Sequence, residues 1–491
     1  MNFAAAIDPH PNDAPALISH GTTTTYGELR SQVGEIRGAL VARGVEPGDH
    51  VAIVAANNGS FVAAYLAVLG VGAVALPLNP ASPAAELERQ LRVADARLAL
   101  LGPTALRAFD GVDVDGIAGF DGGVAIGELR GAEPAPLVER ADGDLAVLLF
   151  TSGTAGLPRA AMLTHGNLRA NIDQIRAHGR HAGVEVSADD VALAVIPLFH
   201  VFGLNALLGQ ALTAGAAVVL VEQFDPQRAL ELVAEHGVTV LSGVPTMWRT
   251  WIELPDAGPD ADPLASVRVA VSGAAPLDPA VRHAVAERFG VELAEGYGLT
   301  EASPVVTSGV GVHAPDASIG VPLPGVQVRL IDGAGEDALV GDPGEIWVKG
   351  PNVFAGYLND ADATRAALGD DGCLRTGDLA VVDDDGYLCL VDRVKDVIIV
   401  SGFNVVPAEV EAVLVEHPDV ADAAVVGVPN PHSGEAVKAF VVPVDGASIE
   451  ENVLIDHASR HLARYKCPTT IAFVDELPHG ITGKVIRRAL Q

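Results

Sequence analysis

Apolar residues recur at helical spacing from Leu29 through Val33, Ile36, Leu40 and Val41, behind Thr25-Tyr26-Gly27-Glu28 and ahead of Gly44. This pattern predicts a helix that opens at Thr25 and ends before the glycine. Residues 51–54 and 73–76 are short unbroken apolar runs that read as buried strands, with a helix around Phe61 between them. Such a strand-helix-strand unit pairs its strands in parallel. The apolar run 61–78 is long enough to raise a membrane span, but Gly70, Gly72 and Pro77 divide it into a core helix and a strand.

The alternation continues, with strands expected at 146–150, 216–221 and 238–241 and helices around Leu168 and at 230–235. Strands this apolar belong to sheets covered on both faces. After about Ser318 the texture changes to short strands punctuated by Gly, Pro and Asp, at 326–331, 344–348 and 387–391. Beyond Arg393 a helix (407–415), two strands (421–428, 437–442) and a helix (449–461) make a compact α+β unit. The expected fold class is therefore α/β. A large N-terminal domain of parallel-rich sheets (1–392) includes a β-rich subdomain at about 318–392, and a small C-terminal domain (393–491) follows a hinge near 393–395.

Composition narrows the function classes. Apolar residues make up 49% of the 491 and aromatics 4%, so Ala, Val, Leu and Ile build the core. Against 31 basic side chains stand 63 acidic ones, a net charge of −32. Such a surface repels nucleic acid and anionic lipid, and an anionic substrate needs a local nest of backbone N–H groups and a divalent cation. Cys373, Cys389 and Cys467 show neither paired spacing nor a neighbouring histidine cluster, which sets aside a disulfide framework and a structural zinc site. Residues 1–11 lack a basic stretch followed by an apolar one, so no secretory signal is expected and the location expected is cytoplasmic.

Phe150-Thr151-Ser152-Gly153-Thr154-Ala155-Gly156-Leu157-Pro158-Arg159 follows a buried strand, and its small residues leave backbone N–H groups to converge on phosphate oxygens. The Gly-Lys-Ser/Thr ending of a Walker loop is missing and Pro158 blocks immediate helix entry, which disfavours a P-loop kinase. An ordinary Gly/Ser/Thr connection has the same look, so other segments must decide. Those segments are Ser272-Gly273-Ala274-Ala275-Pro276-Leu277, Glu295-Gly296-Tyr297-Gly298-Leu299-Thr300-Glu301, Thr376-Gly377-Asp378-Leu379, Asp392-Arg393-Val394-Lys395-Asp396 and Gly480-Ile481-Thr482-Gly483-Lys484. Taken singly, they read equally as a strand-to-helix turn, a capped helix start, solvated turns and a basic tail.

In this order, over about residues 20–490, the segments resemble the adenylate-forming, AMP-binding superfamily of acyl-CoA synthetases, aryl-CoA ligases, firefly luciferase and peptide-synthetase adenylation domains. The resemblance implies an acid–thiol ligase that uses ATP, Mg²⁺ and coenzyme A, with an N-terminal adenylation domain and a mobile C-terminal domain pivoting at Lys395. It gives the triphosphate to Thr151, Ser152, Gly153, Thr154, Ala155, Gly156 and Arg159. Ala155 stands where a second Thr is common, and Arg159 where Lys is common, keeping the charge on a planar fork. It stacks Tyr297 on adenine, among Gly273, Ala274, Ala275, Glu295, Gly296 and Gly298. Thr300 takes the α-phosphate, Glu301 with Thr151 takes Mg²⁺, and Asp378 with Arg393 takes the ribose hydroxyls. Lys484 bridges the attacking carboxylate and the α-phosphate. Rotation of the small domain then presents Gly402 and Phe403, the glycine leaving room for a pantetheine arm.

Pro197-Leu198-Phe199-His200-Val201-Phe202-Gly203 corresponds to the family's acyl pocket, with His200 beside the substrate carboxylate; a histidine among apolar neighbours is as readily a satisfied core side chain. The absence of an Asp here argues against an amino-acid substrate. Val244-Pro245-Thr246-Met247-Trp248 and Ala302-Ser303-Pro304-Val305-Val306 are predominantly apolar walls, which makes a fatty acid the first expectation. The alternatives are an aryl or cinnamate-type acid, an acyl carrier protein as acceptor in place of coenzyme A, and, outside enzymes, an inactive binding scaffold. Monomer and homodimer are both compatible with the sequence.

Overall fold

A computed structural model describes residues 1–114, 117–151, 159–255, 262–369, 371–393, 397–444, 447, 449–478, 487 and 490. Among them the chain forms four sheets. The first has the order Gly123–Ala125, Leu98–Leu101, His50–Val54, Val74–Leu78, Leu145–Thr151, Arg159–Thr164, all parallel except the last pair. The second places Leu293–Gly298, Val269–Ser272, Val240–Gly243, Val191–Ala194, Ala217–Leu220 and Pro15–Ser19 side by side in parallel, and antiparallel strands close both ends.

Local chemistry sets the helices between these sheets. Thr25 Oγ1 accepts from Glu28 N at 3.2 Å while the Glu28 carboxylate accepts from Thr25 N at 2.8 Å, a reciprocal cap that opens helix Tyr26–Ala42. Helix Gly59–Gly70 starts where the Asn58 side chain accepts from Phe61 N, and it is buried from Phe61 to Gly70. Its apolar circumference reflects packing on both sides. Twelve residues span about 18 Å, well short of the roughly 30 Å hydrocarbon layer of a bilayer. No helix among the described residues is long and apolar enough to cross a membrane.

A third sheet, Gln327–Ile331, Gly344–Lys349, Leu374–Val382 and Leu388–Arg393, is wholly antiparallel and forms the β-rich subdomain. The small C-terminal domain builds its own sheet from Ile398–Val400, Phe403–Val405, Val420–Asn430, Gly434–Pro443 and Thr470–Phe473, with helices Pro407–Val415 and Glu451–His461 packed on a separate core that includes Val410, Leu414, Val425 and Leu454.

Two elements differ from the sequence pattern. The loop that resembles a phosphate binder does not lead from strand to helix. It joins a hairpin in which Thr151 faces Arg159 in register, and the helix His165–Ala182 begins only after the second strand. The segment Phe202–Gly209 is a π-helix, a wider turn that Gly203 permits because a Cβ there would lie 2.4 Å from Pro197 O.

Candidate active site

One cavity of about 1580 Å³ runs between the parallel sheets, the β-rich subdomain and the small domain. Its lining includes Thr151, Arg159, His200, Gly273, Ala274, Ala275, Glu295, Gly296, Tyr297, Gly298, Thr300, Glu301, Asp378, Gly402 and Phe403. Segments far apart in sequence are thus brought to one place. Ser152, Gly153, Thr154, Ala155, Gly156, Lys395 and Lys484 lie outside the described residues. Arg393 is described as a strand residue facing Asp378 in register.

Strands Val269–Ser272 and Leu293–Gly298 run parallel, so their ends deliver two loops to the same edge. Ala274 adopts φ +69°, a left-handed conformation that L side chains rarely take, just after the first strand. At the second, Gly298 is required by space: a Cβ would lie 2.1 Å from Pro304 O. The Tyr297 hydroxyl donates to Asp378 Oδ2 at 2.6 Å, which fixes both the ring and the carboxylate. Glu295 accepts from Leu277 N at 3.1 Å, and burial pushes its carboxyl up to about 7, against the lowering effect of that hydrogen bond.

Glu301 follows on the short turn Thr300–Ala302. The Tyr357 hydroxyl donates to Glu301 Oε1 at 2.6 Å, and burial, then the Glu301 charge, raises the phenol above its usual range. Arg159 Nε donates to Asp360 Oδ2 at 2.9 Å, and its guanidinium carbon lies 5.8 Å from the centre of the Tyr357 ring. The carboxylate of Glu301 is therefore held in one orientation on the cavity, within the same group of side chains as Arg159. This donor set fits Mg²⁺, which takes one or two hard oxygen ligands from protein and the rest from water and phosphate.

At the other end of the cavity the small domain meets the large one. Gly402, at φ +84°, faces Val244, whose Cγ1 is 2.6 Å from where a Cβ would stand. The Phe403 ring centre is 5.0 Å from His200 and 4.4 Å from Tyr465, stacked on the latter at 23°. Among the described residues, His200 Nε2 is buried with no hydrogen-bond partner. Burial first, then the Lys466 charge, lowers the imidazole to about 4, so it is neutral at physiological pH.

Sequence reading missed Tyr357, Asp360 and Tyr465. Tyr357 forms a single bridge with Ala161, Asp360 caps helix Ala361–Ala367 and Tyr465 sits in a short helical turn, and only the three-dimensional contacts with Glu301, Arg159 and Phe403 single them out.

Residues 3–358 match the family described as AMP-binding enzyme, and residues 409–484 match the AMP-binding enzyme C-terminal domain. The chain is 38% identical to a feruloyl-CoA synthase of an Amycolatopsis species, over 98% of this chain and 96% of that protein. It is 32% identical to 4-coumarate-CoA ligase 1 of Narcissus pseudonarcissus, over 98% of this chain and 91% of that relative. Among solved structures it is similar to a double mutant of o-succinylbenzoate CoA synthetase from Bacillus subtilis bound with the product analogue OSB-NCoA. There the TM-score is 0.89 and the identity 29%, covering 100% of this chain and 98% of the other.

Glu295 gives a testable electrostatic signature. Its folded pKa of about 7 lies above the ordinary 4.5, so the native state holds an extra proton between those values. The associated stability is fully present below the lower value and is lost as pH rises through the higher. Glu295→Gln, which mimics the protonated acid, should therefore gain on the parent as pH rises, by roughly 2 °C in Tm between about pH 5 and pH 8. Parallel melting curves whose difference is independent of pH would contradict this account.

Proposed function

Because the chain belongs to the AMP-binding enzyme family, we propose that it is a CoA ligase for an aryl acid of the hydroxycinnamate class. The coarser reaction is that of an acid–thiol ligase, which consumes ATP, forms an acyl-adenylate and passes the acyl group to coenzyme A. The observation that carries the aryl reading is the 38% identity to feruloyl-CoA synthase across nearly the whole chain. The fatty acid expected from apolar walls alone gives way to it. A flat, conjugated acid also has few rotors to freeze on entering a pocket lined by Phe202, Val271 and Val305.

A carboxylate is a poor acyl donor because its leaving group would be oxide. In the first step a carboxylate oxygen attacks the α-phosphorus, the bond from that phosphorus to the bridging oxygen breaks, and pyrophosphate leaves. Two anions must meet, so compensating charge has to be in place beforehand. In this reading adenine lies on the Tyr297 ring while the Tyr297 hydroxyl holds Asp378 towards the ribose beside Arg393. Thr300 takes the α-phosphate, and Thr151, the loop 152–156 and Arg159 take the triphosphate. Arg159, which donates to Asp360, turns to phosphate in this reading. Lys484 lies between the two reactants. Mg²⁺ bound by Glu301 and Thr151 would supply neutralising charge to the phosphate oxygens.

In the second step the CoA sulfur attacks the acyl carbon, the carbon–oxygen bond to AMP breaks, and the thiol proton passes to solvent. AMP leaves as a stable anion and needs no proton donor. With its pKa near 4, His200 is a poor proton acceptor, and its role is to wall and orient the acyl group. The placement of Phe403 on His200 supports reading this domain orientation as the thioester-forming one. So does the similarity to a synthetase bound with a CoA product analogue.

Pyrophosphate release with Mg-ATP should be fastest for ferulate, 4-coumarate or cinnamate in a panel that includes benzoate, acetate and fatty acids, and completion should require coenzyme A. A fatty acid exceeding ferulate about tenfold in kcat/KM would overturn the aryl assignment, and acyl-AMP that stalls with coenzyme A present would favour a carrier protein. Lys484→Ala should slow acyl-AMP formation about 100-fold while leaving thioester formation from supplied acyl-AMP within about threefold. Gly402→Ala should do the reverse, because its Cβ meets Val244 in this orientation; equal losses in both steps would speak against two working orientations.

A further inference from the structure

Helix Ala84–Val93 belongs to the large domain, yet the side chain of its Glu86 is satisfied mainly by the small one. Lys466 Nζ donates to Glu86 Oε1 at 2.7 Å, and Ala463 N donates to Glu86 Oε2 at 2.7 Å. The same ammonium donates to Glu409 Oε1 at 2.8 Å, on the small domain's own helix Pro407–Val415. Glu86, Glu409 and Lys466 are 2%, 3% and 7% exposed, so one cation is shared by two buried carboxylates from the two domains. Close by, Arg89 donates to His461 O at 3.2 Å across the same boundary.

We propose that Glu86, received by Lys466 and the Ala463 amide, is a reversible latch for the small domain, and that Glu86 and Lys466 are positioning residues for thioester formation. The proposal rests on the two-step ligase reading above. The path from latch to site is short: Tyr465 precedes Lys466 in the chain, its ring stacks on Phe403, and Phe403 packs against His200. Holding Lys466 on Glu86 therefore holds this ring stack over the acyl end of the cavity. Lys466 and Glu409 lie in one domain and travel together, so rotation uncovers Glu86 and returns it to water. Coulomb attraction in a buried pair is largely offset by lost hydration, which lets the contact select an orientation without locking it. An apolar patch of equal area would lose its gain outright on opening and leave a sticky surface.

Glu86→Gln keeps the shape, removes the charge and turns one acceptor into a donor that faces a donor. Discharge of supplied acyl-AMP by coenzyme A should fall about 30-fold, while acyl-AMP formation without coenzyme A changes by less than about twofold. Adding Lys466→Met together with Glu409→Gln, which leaves no unpaired buried carboxylate, should cost little more in discharge, because the contact across the boundary is already gone. Hydrogen exchange at the Ala463 amide should quicken about tenfold, while strand Gly434–Pro443 stays protected and reports an intact small domain. Equal loss in both half-reactions at unchanged Tm, or unchanged protection of Ala463, would overturn the latch. If the parent enzyme makes neither acyl-AMP nor thioester from any acid, the ligase reading fails, and exchange at Ala463 still decides whether Glu86 holds the domain.

Discussion

Parallel strand pairing is the constraint on which the site depends. Strands Val240–Gly243, Val269–Ser272 and Leu293–Gly298 all run the same way, so the residues that follow each of them emerge at one edge of the sheet. That is how Val244, Gly273 and Leu299 come to line one cavity, with Tyr297 at the end of its strand beside them. An antiparallel arrangement would send alternate loops to opposite ends. The first sheet and the β-rich subdomain contribute Thr151 and Asp378 to the same cavity, and the small domain closes over it.

With a net charge of −32, the chain has to treat an anionic substrate locally. Its solution is to restrain its own carboxylates. Asp378 receives the Tyr297 hydroxyl and Glu301 receives the Tyr357 hydroxyl, both at 2.6 Å, so each negative charge near the site is oriented and partly compensated by a neutral donor. Arg159 is kept on Asp360 by an ion pair. Glu295 takes the remaining course: half-buried with one backbone donor, it keeps its proton up to about pH 7. Fixed dipoles cost little to rearrange when a polyanion arrives, whereas loose carboxylates would have to be pushed aside.

How much of this was legible in the sequence depended on the range of the determining contact. The reciprocal cap at Thr25 and Glu28 and the apolar period behind it are local, and the helix they specify is Tyr26–Ala42. The break in the run 61–78 at Gly70 and Gly72 is equally local, and it yields a helix and a strand, with Pro77 inside the strand. The motif around Tyr297 and Glu301 was legible through its resemblance, as was Asp378, although the Tyr297–Asp378 and Tyr357–Glu301 contacts were not. They span 81 and 56 positions, and composition gives no hint of either. The hairpin return Arg159–Thr164 was missed because Pro158 was read only as a bar to helix, and the π-turns of Phe202–Gly209 have no period that an apolar pattern could reveal. Acyl preference was hardest, since apolar walls suit an alkyl chain and an aromatic ring alike.

The contact between Glu86 and Lys466 spans 380 positions, and in sequence each residue is one charged side chain among many. Its chemistry nonetheless follows from the task of the small domain. Two reaction steps, one at phosphorus and one at the acyl carbon, that need different groups in one cavity require an interface that forms specifically and separates without aggregation. Apolar surface alone meets the first demand and fails the second. A buried ammonium that keeps one carboxylate of its own domain and borrows another meets both, because each partner has a solvated or paired state to return to. Phe403, Tyr465 and His200 then supply shape at the point of reaction, while charge supplies the register.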